Sequence, residues 1–272
     1  MKNILFPIAI TLITSLCSCI DPTIEPKKIV EFETMSGSVV ETKPINVDGK
    51  TVKDRFNTPD GFIRVDSENG SFGSYLQSLP LKPNGSLVYH FNGSVKLNTS
   101  AYCAVVDLPL RGNEDHQCAD AVMRLRAEFL FSQKRYDEIY FSYVGGGGLS
   151  YNAYLSGRTP TTENLWSYLK VVFKRASTLS LDKQLKSKDP KDLEIGDVFV
   201  KGGSPGHALI VVDKCVDKNG QVKFMLAQSY MPAQDIQILV GDDGSTPWYD
   251  LEFGEYLYSA EWTFTKDQLK SF

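Results

Sequence analysis

Residues 195–213 read IGDVFVKGGSPGHALIVVD, and the architecture of the chain follows from them. Residues 197–201 make a short strand. Gly202-Gly203-Ser204-Pro205-Gly206 then break it, a run of the residue types that punctuate a chain. His207 opens a second strand over 207–213, apolar at every position from Ala208 to Val212. A strand apolar on both faces is covered on both faces, so this one belongs in the middle of a sheet. Asn219-Gly220 follows as a hairpin signal, and 222–228 returns as the partner strand. Residues 236–240 add another strand, and 261–269 close the chain as a last one.

Upstream, the period changes from two to helical. Residues 115–131 form the clearest helix, with Cys118, Val122, Leu125 and Phe129 on one face. Asn113 or Asp115 supplies its cap. Residues 163–176 form a second amphipathic helix with Leu165, Trp166, Leu169, Val172 and Phe173 inward. Residues 71–79 form a short one, stopped by Pro80 and Pro83. Short strands are expected at 87–91, 104–108 and 139–143. Helices followed by an antiparallel sheet define an α+β class, with the N-terminal helices packed on the sheet.

Composition narrows the function. Lys and Arg number 29 against 33 Asp and Glu, a net charge of −4 with no basic stripe, which argues against nucleic acid as a partner. Gly145-Gly146-Gly147-Gly148 lacks the Lys and Ser/Thr of a phosphate loop and reads as a turn. His116 and Cys118 stand close in Asp115-His116-Gln117-Cys118, but no second ligand cluster accompanies them. No cofactor and no metal are expected. His90, between Tyr89 and Phe91, reads as structural or surface.

Cys118 and His207 carry the chemistry. A thiol in the first turn of a helix feels free backbone N–H groups and the positive end of the dipole, which favour the thiolate. An imidazole at a strand start, cleared by glycines, suits a general base. Against this, Cys118 lies on the apolar face of its helix, where a cysteine is also a small core residue. Gln228, in Leu226-Ala227-Gln228-Ser229-Tyr230, is the candidate to orient the ring. A tight Asn219-Gly220 turn sets Gln228 opposite Val211, so a wider loop or a bulge is needed to bring it nearer His207. Cys118 is expected to be free rather than bonded to Cys103.

Cys118-Ala119-Asp120, Ile195-Gly196-Asp197-Val198-Phe199 and Gly206-His207-Ala208-Leu209-Ile210-Val211-Val212, in that order, resemble the papain-like NlpC/P60 and CHAP hydrolases. The resemblance implies a papain-like fold, Cys118 as nucleophile and His207 as base. It departs from those families in having Gln117-Cys118-Ala119 for Asp-Cys-Ser/Gly, and in a longer cysteine-to-histidine separation. A closer resemblance runs through Ser71-Phe72-Gly73-Ser74-Tyr75-Leu76, residues 118–128, residues 202–208 and residues 227–234. These are similar to domain of unknown function 4846, a family of bacterial lipoproteins.

The N-terminus fits that resemblance. Lys2 precedes an apolar run over 4–16, too short for the ~20 residues of a comfortable membrane span. A charge followed by a short apolar run marks a secretory signal. Leu16-Cys17-Ser18-Cys19 resembles a lipobox, which implies removal of 1–18 and lipidation of Cys19. Residues 19–53, with Pro22, Pro26 and Pro44, read as a flexible tether, and 54–272 as one globular domain. The expected location is the cell envelope, on the periplasmic or cell-surface face of a membrane. Two functions follow: a lipid-anchored cysteine hydrolase of amide bonds in cell-wall peptide or another exported substrate, or a non-catalytic binding or structural lipoprotein.

Overall fold

The spine of the protein is one long hairpin. The structure, a computed structural model, describes residues 43–272. The expected signal segment, Cys19 and the tether as far as residue 42 lie outside the described residues. In chain order the main sheet is built from β1 (Phe62–Arg64), β2 (Tyr102–Val105), β3 (Lys186–Ser187), β4 (Val198–Lys201), β5 (His207–Asp217), β6 (Val222–Gln228), β7 (Gln237–Leu239), β8 (Trp248–Asp250) and β9 (Leu269–Ser271). The spatial order is β2-β7-β6-β5-β4-β9-β3, with β1 pairing the far end of β5 and β8 the far end of β6. Every pairing is antiparallel.

The helices are α1 (Val52–Arg55), α2 (Phe72–Gln77), α3 (Cys118–Ser132), α4 (Tyr151–Leu155), α5 (Thr162–Phe173) and α6 (Thr178–Gln184). Alternation along β5 sorts its side chains between two cores. Ala208, Ile210 and Val212 join the helical side, with Val122 and Leu125 of α3 and Leu169 of α5. Leu209 and Val211 face the other way, against Phe199, Phe224, Leu257 and Phe264. The last two come from a small hairpin, Tyr256–Tyr258 with Thr263–Thr265, that covers this second face. The central position expected for β5 is therefore observed, in a mixed fold with an antiparallel sheet.

Four expectations need correction. The domain begins before residue 54: Asn46 N–H donates to Arg55 O at 2.7 Å, and Val52 is fully buried. Residues 43–53 read as tether because they are held largely by backbone bonds and by the buried Arg55 guanidinium on Gly49 O, neither of which leaves an apolar pattern. Residues 87–91 are not a strand; single bridges join Tyr89 to Val95 and His90 to Gln234. The stretch 261–269 is split between Thr263–Thr265, a turn over Lys266–Gln268, and β9. The helix at 115–131 starts later, at Cys118, with Gln117 at its cap. Among the described residues no helix is long and apolar enough to cross a membrane.

Candidate active site

The start of α3 sets Cys118. Asp120 reaches back so that its Oδ2 accepts the Gln117 N–H at 3.0 Å, which fixes the first turn. Cys118 is the first helical residue, so its thiol sits at the positive end of a fifteen-residue helix. The lead-in is tied to the sheet: the Ser229 hydroxyl, just past β6, reaches the carbonyls of His116 and Gln234.

The turn before β5 sets His207. A Cβ on Gly206 would stand 2.3 Å from Thr178 Oγ1 and 2.5 Å from Gly203 O, so only glycine fits. Thr178, at the start of α6, donates its hydroxyl to Gly203 O at 3.2 Å and braces the loop. The ring of His207 then lies between Tyr230 and Trp262, with centroids at 4.8 and 5.1 Å.

Gln228 reaches that ring because the β5–β6 hairpin is not the tight one. Gly220 adopts φ of 86°, and the register runs through Val216↔Val222 and Asp213↔Met225. Between Val211 and Asp213 it slips by one residue, giving Ile210↔Ala227. Continued one step, the pairing sets Gln228 opposite Leu209, on the same face as His207 and diagonal to it. Without the bulge Gln228 would fall on the other face. The bulge is held by Asp213, which accepts from Arg64 Nε at 2.8 Å and Gln77 Nε2 at 2.7 Å. His207 Nε2 and Gln228 Oε1 are 2.7 Å apart as a result.

Cys118, His207, Tyr230, Trp262 and the 203–206 loop line one cleft of about 530 Å³. Its acidic lining residues are Asp115 and Asp120, the second raised by burial to about 8 and so mostly protonated at neutral pH. The backbone N–H of Ala208, next to His207, is among the groups that favour the thiolate form of Cys118. No hydrogen bond among the described residues joins that sulfur to the ring; the ring bonds to Gln228 alone. Cys103, Cys118 and Cys215 are all free thiols.

Electrostatics differs from the expected thiolate. Burial pushes the Cys118 thiol up to about 11, and Asp120 adds to this, against the pull of the Ala208, Ala119 and Cys118 N–H groups. Burial likewise pushes His207 down to about 4, against the bond to Gln228 and the nearby Glu261. At rest the thiol and the imidazole that line this cleft are therefore both neutral. The helix dipole is present, but desolvation of a cysteine only 8% exposed outweighs it.

Residues 52–271 match the family described as domain of unknown function 4846. The chain belongs to that family. No curated protein and no solved structure matches it. The family carries no activity with it, so the chemistry rests on the cleft.

The three residues singled out in sequence do meet: Cys118 and His207 on one cleft, with Gln228 bonded to the ring. Sequence reading missed what stands behind Gln228. Its Nε2 donates to Glu261 Oε2 at 2.6 Å, and Lys96 Nζ bonds the same oxygen at 2.5 Å. Lys96 also lies over the Tyr230 ring at 5.3 Å. No local pattern marks Lys96 or Glu261, because the pair is joined across most of the chain.

Proposed function

We propose that this protein is a cysteine hydrolase of amide bonds, built on a papain-like arrangement and carried on a membrane by a lipid on Cys19. One observation carries the reading: a helix-start thiol and a Gln-oriented imidazole line one open cleft. Nucleophile, base and orienting group are the minimum set for covalent catalysis of this kind. Gln228 takes Nε2, which leaves Nδ1 as the ring nitrogen for the thiol.

In this mechanism a substrate carbonyl enters beside Cys118. The S–H proton passes to His207 Nδ1 as sulfur forms a bond to the carbonyl carbon. The oxyanion takes hydrogen bonds from the free N–H groups at the start of α3. The imidazolium then gives its proton to the departing amine as the C–N bond breaks, leaving a thioester. Water attacks that thioester, its proton going to His207, and the C–S bond breaks to release the carboxylic acid. The proton returns to sulfur. Because the resting pair is neutral, His207 acts as a general base during attack.

Acidic lining and small-residue walls suit an uncharged or cationic peptide segment, and cell-wall peptides or other exported peptides are the proposed substrates. The test is digestion of purified cell-wall peptide by the full-length Cys19→Ser protein, read by mass spectrometry. New amine and acid termini are expected, and none with Cys118→Ala. Cleavage that survives Cys118→Ala refutes the reading. The anchor is tested separately: Cys19→Ser should move the exported protein from the membrane fraction to the soluble one.

One observation favours the alternative of a non-catalytic binding lipoprotein, namely that neither Cys118 nor His207 is charged at rest. In that case peptide is retained by the cleft, uncleaved, with equal affinity in wild type and His207→Ala.

A further inference from the structure

We propose that Glu261 is a positioning residue of this site: it fixes the orientation of the Gln228 amide and so holds His207 with its proton on Nε2 and its lone pair on Nδ1. The proposal rests on the hydrolase reading of the same cleft.

An amide side chain is ambiguous. Gln228 can offer its oxygen or its NH2 to His207, and the ring adapts by changing tautomer. Offered the oxygen, His207 must donate from Nε2, and Nδ1 is free to take a proton. Offered the NH2, Nε2 must accept, the proton sits on Nδ1, and the ring can no longer act as a base toward the thiol. The bond between His207 and Gln228 therefore does not by itself select a working site.

Glu261 removes the ambiguity. A carboxylate has acceptors and no donor. With Glu261 Oε2 at 2.6 Å, Gln228 must present its NH2 to that oxygen and hence its own oxygen to the ring. Flipping the amide would set two oxygens against each other there, and although the ring could keep its bond by changing tautomer, the bond to Glu261 would be lost.

Glu261 is in turn surrounded by donors. Lys96 Nζ bonds Oε2 at 2.5 Å, and Asn98 Nδ2 bonds Oε1 at 3.0 Å. Asn98 is itself fixed, because its Oδ1 accepts from Ser100 Oγ at 3.0 Å. The order of donors and acceptors runs without a break from Lys96 through Glu261 and Gln228 to His207.

The ion pair is not cheap to keep. The Lys96 and Glu261 side chains are 6% and 12% exposed. Replacing a buried pair with apolar groups of similar volume is often neutral or stabilising, so packing alone is a weak reason for it. Setting a tautomer at the end of the chain of bonds requires a carboxylate and cannot be met by an apolar side chain.

The experiment reads the tautomer directly. The chain has three histidines, so the ring nitrogens of nitrogen-15 histidine-labelled full-length Cys19→Ser protein can be assigned with His207→Ala. At neutral pH, His207 is expected to show the Nε2–H form alone. Glu261→Gln should add the Nδ1–H form, and alkylation of Cys118 by iodoacetamide should slow several-fold. Should Glu261→Gln not fold with Lys96 left unpaired, Lys96→Met/Glu261→Gln removes both charges and should show the same second tautomer. A His207 signal that stays wholly Nε2–H in the folded variant overturns the proposal. Alkylation indifferent to His207→Ala would instead sink the hydrolase reading, and the tautomer spectrum would still decide what Glu261 does.

Discussion

His116, just ahead of Cys118, and His207, on the strand that lines the same cleft, are both almost wholly buried, and both lie among aromatic rings. His116 packs against Phe173 and Trp166 at centroid distances of 5.7 and 6.5 Å. His207 packs against Tyr230 and Trp262. Burial lowers both, His116 to about 3 and His207 to about 4. The difference lies in their partners. Neither ring nitrogen of His116 has a hydrogen-bond partner, and the residue is sealed in the core. His207 has one nitrogen held by Gln228 and stands on an open cleft. A perturbed imidazole is thus not enough to mark a base; an orienting partner and a path to substrate separate the two.

The largest effect should fall on that separation. His207→Ala should lower peptide cleavage by ~10²–10⁴-fold, the usual contribution of a positioned acid–base group. His116→Phe should leave the rate within a few-fold. Steady-state rates of the two variants decide it, and comparable losses in both would erase the distinction.

Next comes the pH response of the thiol. With Cys118 held at about 11, little thiolate exists at neutral pH. Its thiolate fraction, and its rate of iodoacetamide labelling, should rise about tenfold per pH unit from 7 to 10. A plateau reached in mildly acidic solution would show a thiolate–imidazolium pair instead, and would return Cys118 to the lowered state that its helix position alone suggests.

The third effect separates the histidines by stability. Each binds a proton more readily in the unfolded chain, near the ordinary ~6.5, than in the fold. The unfolded state therefore takes up protons first, and stability is lost as pH falls from about 6.5 toward 4. Asp120, raised to about 8 by burial, has the opposite sign, since its protonated form is the folded one and stability falls as pH rises from the ordinary carboxylate range to 8. His116→Phe should reduce the loss between pH 7 and pH 4 by on the order of 2 kcal/mol, measured by urea unfolding. An unchanged acid loss would mean that His116 finds a partner in the fold.

The same contrast shows how much the sequence discloses. The helices carrying Cys118 and Trp166, and the central hairpin of β5 and β6, follow from period and punctuation, which are local. Cys118, His207 and Gln228 were legible because each sits at the edge of such an element. The bulge at Val211–Asp213 was legible only as a requirement: a tight turn would have left Gln228 too far along. Lys96 and Glu261 were not legible, because 165 positions separate them and neither lies in a periodic element. α6 was missed for a related reason. Seven residues capped by Ser177 are too short for a helical period to stand out, yet Thr178 at its start braces the His207 loop.

What keeps His207 unlike His116 is also a matter of backbone space, and the smallest predicted effect probes it. Gly206 lies where any Cβ would press on Thr178 Oγ1, Gly203 O and Lys201 O, two of which are backbone atoms that cannot turn aside. Gly206→Ala must move either the loop or the first residue of β5. Overpacking of this kind costs ~1–3 kcal/mol. Because β5 is anchored by its long pairing with β6 from Ile210 onward, the shift should concentrate at its first residue, His207, which is paired only with Lys201 of β4 at the lip of the loop itself. The ring would then lose its alignment with Gln228 while the core beneath keeps its packing. The expected result is a modest fall in unfolding free energy with a disproportionate fall in kcat, and KM changed little. A variant as stable and as active as wild type would show that the loop has room to yield. The open approach to His207 would then owe nothing to glycine.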